Sequence, residues 1–289
     1  GVPYVPPPPP PPLTDATIHD AVDEALKAGG PEYVHPGYGP IAGWDVGAVT
    51  NMRGMFRFVA HVQGHAYTFN GDLSRWDVRN VTDMDRMFMG AAAFNGDLSR
   101  WKVGAVTDMS RMFARASTFN GDLSRWDVSN VTQMDAMFRS ANAFNGDLSR
   151  WKVGAVTNMH HMFSETGVFN GDLKGWDVRN VKDMSSTFEN AAAFNGDLSR
   201  WDVRNVIHMG RMFHRATAFN GDLSSWRPRN VMNMYSMFED AYTFNGDLKY
   251  WDVRNVKDMS SMFEGAAAFN GDLSRWDVRN VTEMDRMFD

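Results

Sequence analysis

The sequence predicts an α/β repeat solenoid of ten coils, with one parallel sheet, short helical returns and an N-terminal helical cap. Three observations predict it. Nine tryptophans, from Trp76 to Trp276, stand 25 residues apart, and the 25-residue stretch Phe69 to Ala93 recurs without a gap to the end of the chain. A fixed period in the twenties marks a solenoid, in which each repeat is one coil stacked on the last. Within each repeat, a short alternating segment is followed by apolar residues at helical offsets.

Three regions precede or make up the array. Residues 1–13 hold an unbroken proline run, Pro6 to Pro12, expected to be a stiff polyproline II linker or a ligand for a proline-recognition module. Residues 14–37 are expected to be a helical cap. Thr14 or Asp15 is placed to start a helix over 14–28, with Ile18, Ala21, Val22, Ala25 and Leu26 on one face and Gly29 and Gly30 ending it. Residues 38–289 form the repeat region. Its first coil is irregular: Tyr38-Gly39-Pro40-Ile41 replaces Phe-Asn-Gly-Asp-Leu, and an insertion at 57–67 carries His61 and His65, four apart. If helical, these two could share a metal, but no third ligand is evident.

In the regular coils, Leu73-Ser-Arg-Trp-Asp-Val78 reads as a strand, with Trp76 and Val78 inward and the charged residues outward. Val81, Met84, Met87 and Phe88 lie at offsets of a helical return. The Asn-Gly of Phe94-Asn-Gly-Asp97 turns the chain back. The Met columns are expected to be core filler. Pro228 stands in the Val78 column, where it should remove a ladder donor and break the pairing. Asn70 and its equivalents are expected to be buried and bonded to turn amides.

The repeat resembles a known family. Leu73-x-x-Trp76-x-Val78 is similar to the leucine-rich-repeat core with Trp in place of Leu, so the fold is expected to be leucine-rich-repeat-like. The fuller pattern F-N-x-D-L-S-x-W-D-V-x-N-V-T-x-M-x-x-M-F resembles the 25- to 26-residue repeat of BspA-like surface proteins and mycoplasma surface lipoproteins, over about 250 of the 289 residues. The resemblance implies an extracellular or cell-surface location and a role in contact or adhesion, and carries no catalytic residues. Two departures from the lipoprotein members are the missing lipid-acceptor Cys and the polyproline lead.

Composition narrows the function. Net charge is −6 and cysteine is absent, which argues against a nucleic-acid binder and excludes disulfides or a thiol nucleophile. No apolar run is long enough for a membrane helix. Gly1 is not an initiator Met, and Asp289 follows directly on a Met-Phe return with no capping helix. The chain is therefore expected to be processed or partial, with more chain or a partner closing its end.

Two sets of charged residues are candidates. Asp72, Asp97, Asp122 and six equivalents form an acidic column that could hold calcium, or be satisfied by turn amides and nearby Arg. The outward face of the Leu-to-Val segment carries Arg75, Arg79, Arg100, Lys102, Arg125, Arg150, Lys152, Arg179, Arg200, Arg204, Arg227, Arg229, Arg254, Arg275 and Arg279. Against six Asp, these fifteen leave that face at +9 in a chain whose total is −6, so the remainder carries −15. Lys102 and Lys152 occur in coils where the third outward residue is Gly104 or Gly154, from a duplicated two-coil unit or for steric relief.

A basic repeating face suits other proteins, copies of the chain itself, or an anionic polysaccharide. The expected function is non-catalytic recognition or adhesion through that face. The alternative is a building block assembling into a filament or coat. An enzyme is not expected, because nearly every carboxylate is one of many copies and catalysis needs a unique constellation. No cofactor is expected.

Overall fold

The computed structural model describes residues 9–58 and 66–289. The insertion's His61 and His65 lie outside the described residues, as do Pro6 to Pro8. Pro9 to Pro12 are exposed and carry no regular secondary structure. Helix α1 spans Ile18–Ala28 and buries Ile18, Ala21, Val22, Ala25 and Leu26. A two-residue hairpin follows, β1 (Val34–His35) against β2 (Gly39–Pro40), and leads into the first coil.

α1 begins later than expected, because Asp15 does different work. Its Oδ1 accepts the Thr50 and Asn51 backbone N–H groups at 2.7 and 3.0 Å, and its Oδ2 accepts the Thr50 hydroxyl. In the next coil, the equivalent Thr82 and Asp83 N–H groups donate to the Thr50 carbonyl. Asp15 thus substitutes for a coil that is not there. Burial works to raise its pKa, but the hydrogen bonds from Thr50 and Asn51 hold it below the usual carboxylate range.

Nine parallel bridges, from Asn51–Asp83 to Asp258–Glu283, join ten stations 25 residues apart after the first step. Their place corrects the sequence reading. The pairing runs along the Met-x-x-Met-Phe arc, where a helical return was expected. Met84, Arg86, Phe88 and Gly90 donate to the carbonyls of Asp108, Ser110, Met112 and Ala114 in the next coil. The Leu-to-Val segment makes no backbone ladder. It is a chain of tight turns, with Trp76 N–H donating to Leu73 and Val81 N–H to Val78.

The whole coil is built this way. Met87 donates to Met84, Ala91 to Phe88 and Phe94 to Ala91, so one i→i+3 turn follows another. Leu73, Trp76, Val78, Val81, Met84, Met87, Phe88, Ala91 and Phe94 all lie at turn ends, and all are buried. A three-residue spacing of apolar residues is common to helices and to such turns, which is why the arc read as helical.

Two residues per coil keep the arc from becoming a helix. Arg86 and its eight equivalents, down to Arg286, hold φ between 50° and 58°. The position four later also has positive φ, at Arg115, Ser140, Glu165, Asn190, Arg215 and Asp240, with glycine at Gly90 and Gly265. Left-handed backbone costs a non-glycine residue about 1–2 kcal/mol. The inter-coil hydrogen bonds donated by these same residues offset it.

Aromatic columns fill the centre. Phe88 stacks on Phe94 of its own coil at 4.0 Å and on Phe113 of the next at 5.7 Å. Trp101 and Trp126 stack at 6.4 Å and 2°. Each indole N–H donates one coil back: Trp101 to Leu73, Trp126 to Leu98, and so on to Trp276 and Leu248, at 2.9–3.0 Å. Trp44 has no preceding coil and donates to Gly39 of β2 instead. The Met columns are core from Met52 to Met262, and only in the last coil does Met284 become exposed. Thr187, their one exception, satisfies its buried hydroxyl on the Met184 carbonyl at 2.7 Å.

Two further expectations are corrected. Pro228 breaks nothing: Val231 still donates to its carbonyl at 3.1 Å, and Trp251 still donates across to Leu223. The Val78 position carries no ladder donor in any coil, so proline removes none. The Asn70 column is exposed rather than buried, and it links coils: Asn70 Oδ1 accepts Asn95 N–H at 2.9 Å, and the contact repeats to Asn245 and Asn270.

Trp151 serves as the test of the core. Trp151→Ala should cost about 4 kcal/mol. Trp151→Phe should cost about 2 kcal/mol, since it strands the buried Leu123 carbonyl but keeps the stack. Chemical denaturation monitored by circular dichroism measures both. Arg115→Gly should raise stability by about 1 kcal/mol through relief of the left-handed strain. Gly90→Ala should lower it, because φ is +74° and the new Cβ would sit 3.0 Å from Phe58 Cβ.

Candidate binding face

Alternation along each Leu-to-Val turn segment decides which way its charges point. Trp76 and Val78 enter the core, so Arg75, Asp77 and Arg79 point away from it. All fifteen candidate cations are exposed. They lie on an arc of tight turns rather than on a sheet. Between neighbouring coils the rows leave grooves of repeated composition. One of about 460 Å³ is lined by Lys174, Asp177, Arg179, Arg200, Asp202 and Arg204 among others. One of about 290 Å³ holds Arg200, Asp202, Arg204 and Arg227. A third, of about 400 Å³, holds Lys249, Tyr250, Asp252, Arg254, Arg275 and Asp277.

The cations fall into distinct groups. Arg79, Arg179, Arg204, Arg254 and Arg279 each fold back on the Asp two residues earlier, at 2.5–2.8 Å. Those pairs hold Asp77, Asp177 and Asp202 below the usual carboxylate range, chiefly through the arginine hydrogen bond. Arg227 donates to the Ser224 and Trp226 carbonyls, and Arg275 lies over the Tyr250 ring at 5.0 Å. Arg75, Arg100, Arg125, Arg150 and Arg200 make no ion pair with the described residues. They present exposed guanidinium groups, although Arg75, Arg100, Arg125 and Arg150 each lie near the Asp of the acidic column in the same coil and help to lower its pKa.

The acidic column is used by its own turns. Asp72 Oδ1 accepts Ser74 N–H at 2.9 Å, and the contact recurs at Asp97 and Asp122 and on to Asp272. These hydrogen bonds lower the pKa of Asp72, Asp97 and Asp122. The same interaction answers the mutual repulsion of the column. Lys174 and Lys249 add ion pairs to Asp197 and Asp272 at 2.6 and 2.5 Å.

Gly104 and Gly154 are not there for steric relief. A Cβ on either would meet nothing closer than 3.5 Å, which is ordinary contact. Their carbonyls accept the Asn130 and Asn180 amides at 2.7 Å, as the Arg179 carbonyl accepts Asn205. A duplicated two-coil unit is the reading left. Of the three glycosylation acceptors by sequence, Asn80, Asn130 and Asn280, each amide nitrogen is engaged in this inter-coil contact.

One cluster escaped the sequence reading. On the paired arc, Glu189 is buried and lies 2.7 Å from Arg211, 3.3 Å from His214 and 3.5 Å from His161. Burial pushes Glu189 up, but hydrogen bonds from His214 and Ser186 and the Arg211 charge bring it down to about 2. The available signal was the column itself: Glu189, His214 and Glu239 stand 25 residues apart, in a column held earlier in the chain by Met89, Ala114, Arg139 and Ser164.

The comparisons with known proteins agree with the repeat. The family model described as "Mycoplasma protein of unknown function, DUF285" matches residues 37–151, 118–226 and 194–289. The chain belongs to this family. The expected mycoplasma-type repeat is thus the repeat of DUF285. No curated protein matches the DUF285 chain. Among solved structures it is similar to a leucine-rich repeat protein from Bacteroides ovatus ATCC 8483, at 8% identity over 84% of this chain and 79% of that one, with a TM-score of 0.30. A second is a chain of the TLR13–ssRNA13 complex, at 9% identity over 79% of this chain and 45% of that one, with a TM-score of 0.19. No helix among the described residues is long and apolar enough to cross a membrane.

His161 makes stability pH-dependent. Burial, then the charges of His160 and Arg139, push it down to about 4 against the opposing pull of Glu189 and Glu165. Between about 6.5 and 4 the unfolded chain binds a proton that the folded state refuses, so stability declines as pH falls through that window. His161→Asn, whose side chain tolerates the left-handed backbone at φ 56°, should flatten the decline. Thermal unfolding at half-unit pH steps measures it.

Proposed function

We propose that this DUF285 chain is a non-catalytic, surface-displayed or secreted repeat protein that recognises or adheres through its basic face. Its ligand class is an anionic polymer, a sulfated or carboxylated polysaccharide. The observation that supports this most is the row of exposed guanidinium groups at Arg75, Arg100, Arg125, Arg150 and Arg200, none ion-paired among the described residues. Arg75, Arg100, Arg125 and Arg150 fall on four consecutive coils, and Arg200 follows across Gly175 beside an inter-coil groove, so the protein offers regularly spaced weak contacts. A polymer with a charge on each unit can engage many at once, and multivalency converts weak contacts into useful affinity. The Asp-paired arginines of the neighbouring row give the face shape and mixed polarity.

Binding to heparin and to neutral dextran, measured by surface plasmon resonance at two salt concentrations, tests the reading. Heparin should bind and weaken with salt, while dextran should not bind. Arg100, Arg125 and Arg150 changed together to Ala should lose roughly tenfold or more. Arg179, Arg204 and Arg254 changed together should lose less, because their charge is already answered by Asp. Equal binding of the charged and neutral polymers would overturn the proposal.

A further inference from the structure

A second chemistry sits on the paired arc, away from the basic face. His214 is 3% exposed, and its Nε2 has no hydrogen-bond partner among the described residues. A buried ring nitrogen left so is costly. It faces Glu239 Oε1 at 3.6 Å. One ligand atom each from His214, Glu239 and Asp240 can be chosen so that all three lie within 4.8 Å of one another. We propose that His214, Glu239 and Asp240 form a site for a transition-metal dication of the zinc type.

The geometry matches the chemistry. Two ligands of a tetrahedral zinc, each at about 2.0–2.1 Å, stand roughly 3.3–3.5 Å apart, close to the separation of Nε2 and Glu239. One imidazole and two carboxylates suit zinc, cobalt or nickel, whereas calcium takes only oxygen donors in larger number. The other face of the ring is braced. His214 Nδ1 lies 3.3 Å from Glu189 Oε1, and Arg211 holds that same oxygen at 2.7 Å. A carboxylate behind a ligating histidine fixes the tautomer that frees Nε2 for metal. Arg211 Nη2 is also 3.0 Å from Nδ1, and a guanidinium can only donate. That contact belongs to the opposite tautomer, and metal at Nε2 selects the Glu189-bonded one, leaving Arg211 on Glu189.

Charge and access agree. Glu189, Glu239 and Asp240 outnumber Arg211 and Arg215 by one negative charge. Arg215 donates to Asp240 Oδ2 at 3.0 Å, and the carboxylate keeps further lone pairs for an ion. The Glu239 and Asp240 side chains are 25% and 24% exposed, which provides a way in. The ligands come from two adjacent coils, so the ion would staple one coil to the next.

Co²⁺ titrated into tag-free protein at neutral pH, followed by visible absorption and then displaced by Zn²⁺, tests the site. One equivalent should bind with ligand-field bands, and Zn²⁺ should raise the thermal midpoint. The near-isosteric Glu239→Gln and Asp240→Asn variants, checked for folding by circular dichroism, should lose affinity tenfold or more. Glu189→Gln should lose about 10- to 100-fold by loosening the ring. No saturable binding by the folded protein, binding unchanged in both ligand variants, or a response to Ca²⁺ but not Zn²⁺ would overturn the proposal.

Discussion

Everything in this protein rests on one backbone contact repeated coil after coil. The N–H groups of Met84, Arg86, Phe88 and Gly90 reach the carbonyls of the next coil, and their equivalents repeat the contact along the array. The geometry that permits it is strained, since two residues per coil must adopt left-handed backbone. The strain is tolerated because each such residue gains a buried hydrogen bond that water would otherwise supply. Without that arc the Phe and Trp columns would have no register, and the charged rows outside would not line up.

The two sides of the coil divide the labour. One arc holds coils together through backbone groups and leaves those of its side chains that point away from the core free to vary. There a coil can carry Arg86, Ala136, His161 or Ser236 at one position without harm to the fold. The other arc makes no backbone ladder and relies on side chains: indole to Leu carbonyl, Asn amide to the carbonyl of the coil before. Its outward positions therefore keep a repeated charge pattern. Repetition favours a polymeric ligand on that face, while variation on the paired arc allows a single-copy cluster such as that around Glu189.

Structural roles absorb much of the chemistry that a charge count suggests. The Asp72 column closes turns. Five arginines of the Arg79 column, all but Arg229, answer their own Asp. Asp15 replaces the missing neighbour of the first coil. What remains unspent is small and specific: the Arg75 column outside, and His214 with its two carboxylates on the paired arc.

The sequence by itself determined the period, the inward residues and the outward cations, because a 25-residue repeat places every equivalent side chain in the same environment. It could not say which arc pairs. A three-residue spacing such as Met84–Met87 arises equally from a helix and from successive tight turns, and the two-residue step from Trp76 to Val78 arises equally from a strand. Only the tertiary structure decided between them, through left-handed residues that leave no mark on composition when they are Arg, Ser or Ala. The period already placed Glu189, His214 and Glu239 in one column, and the tertiary structure alone showed them within reach of one another and of Arg211, because the side-chain directions depend on which arc pairs.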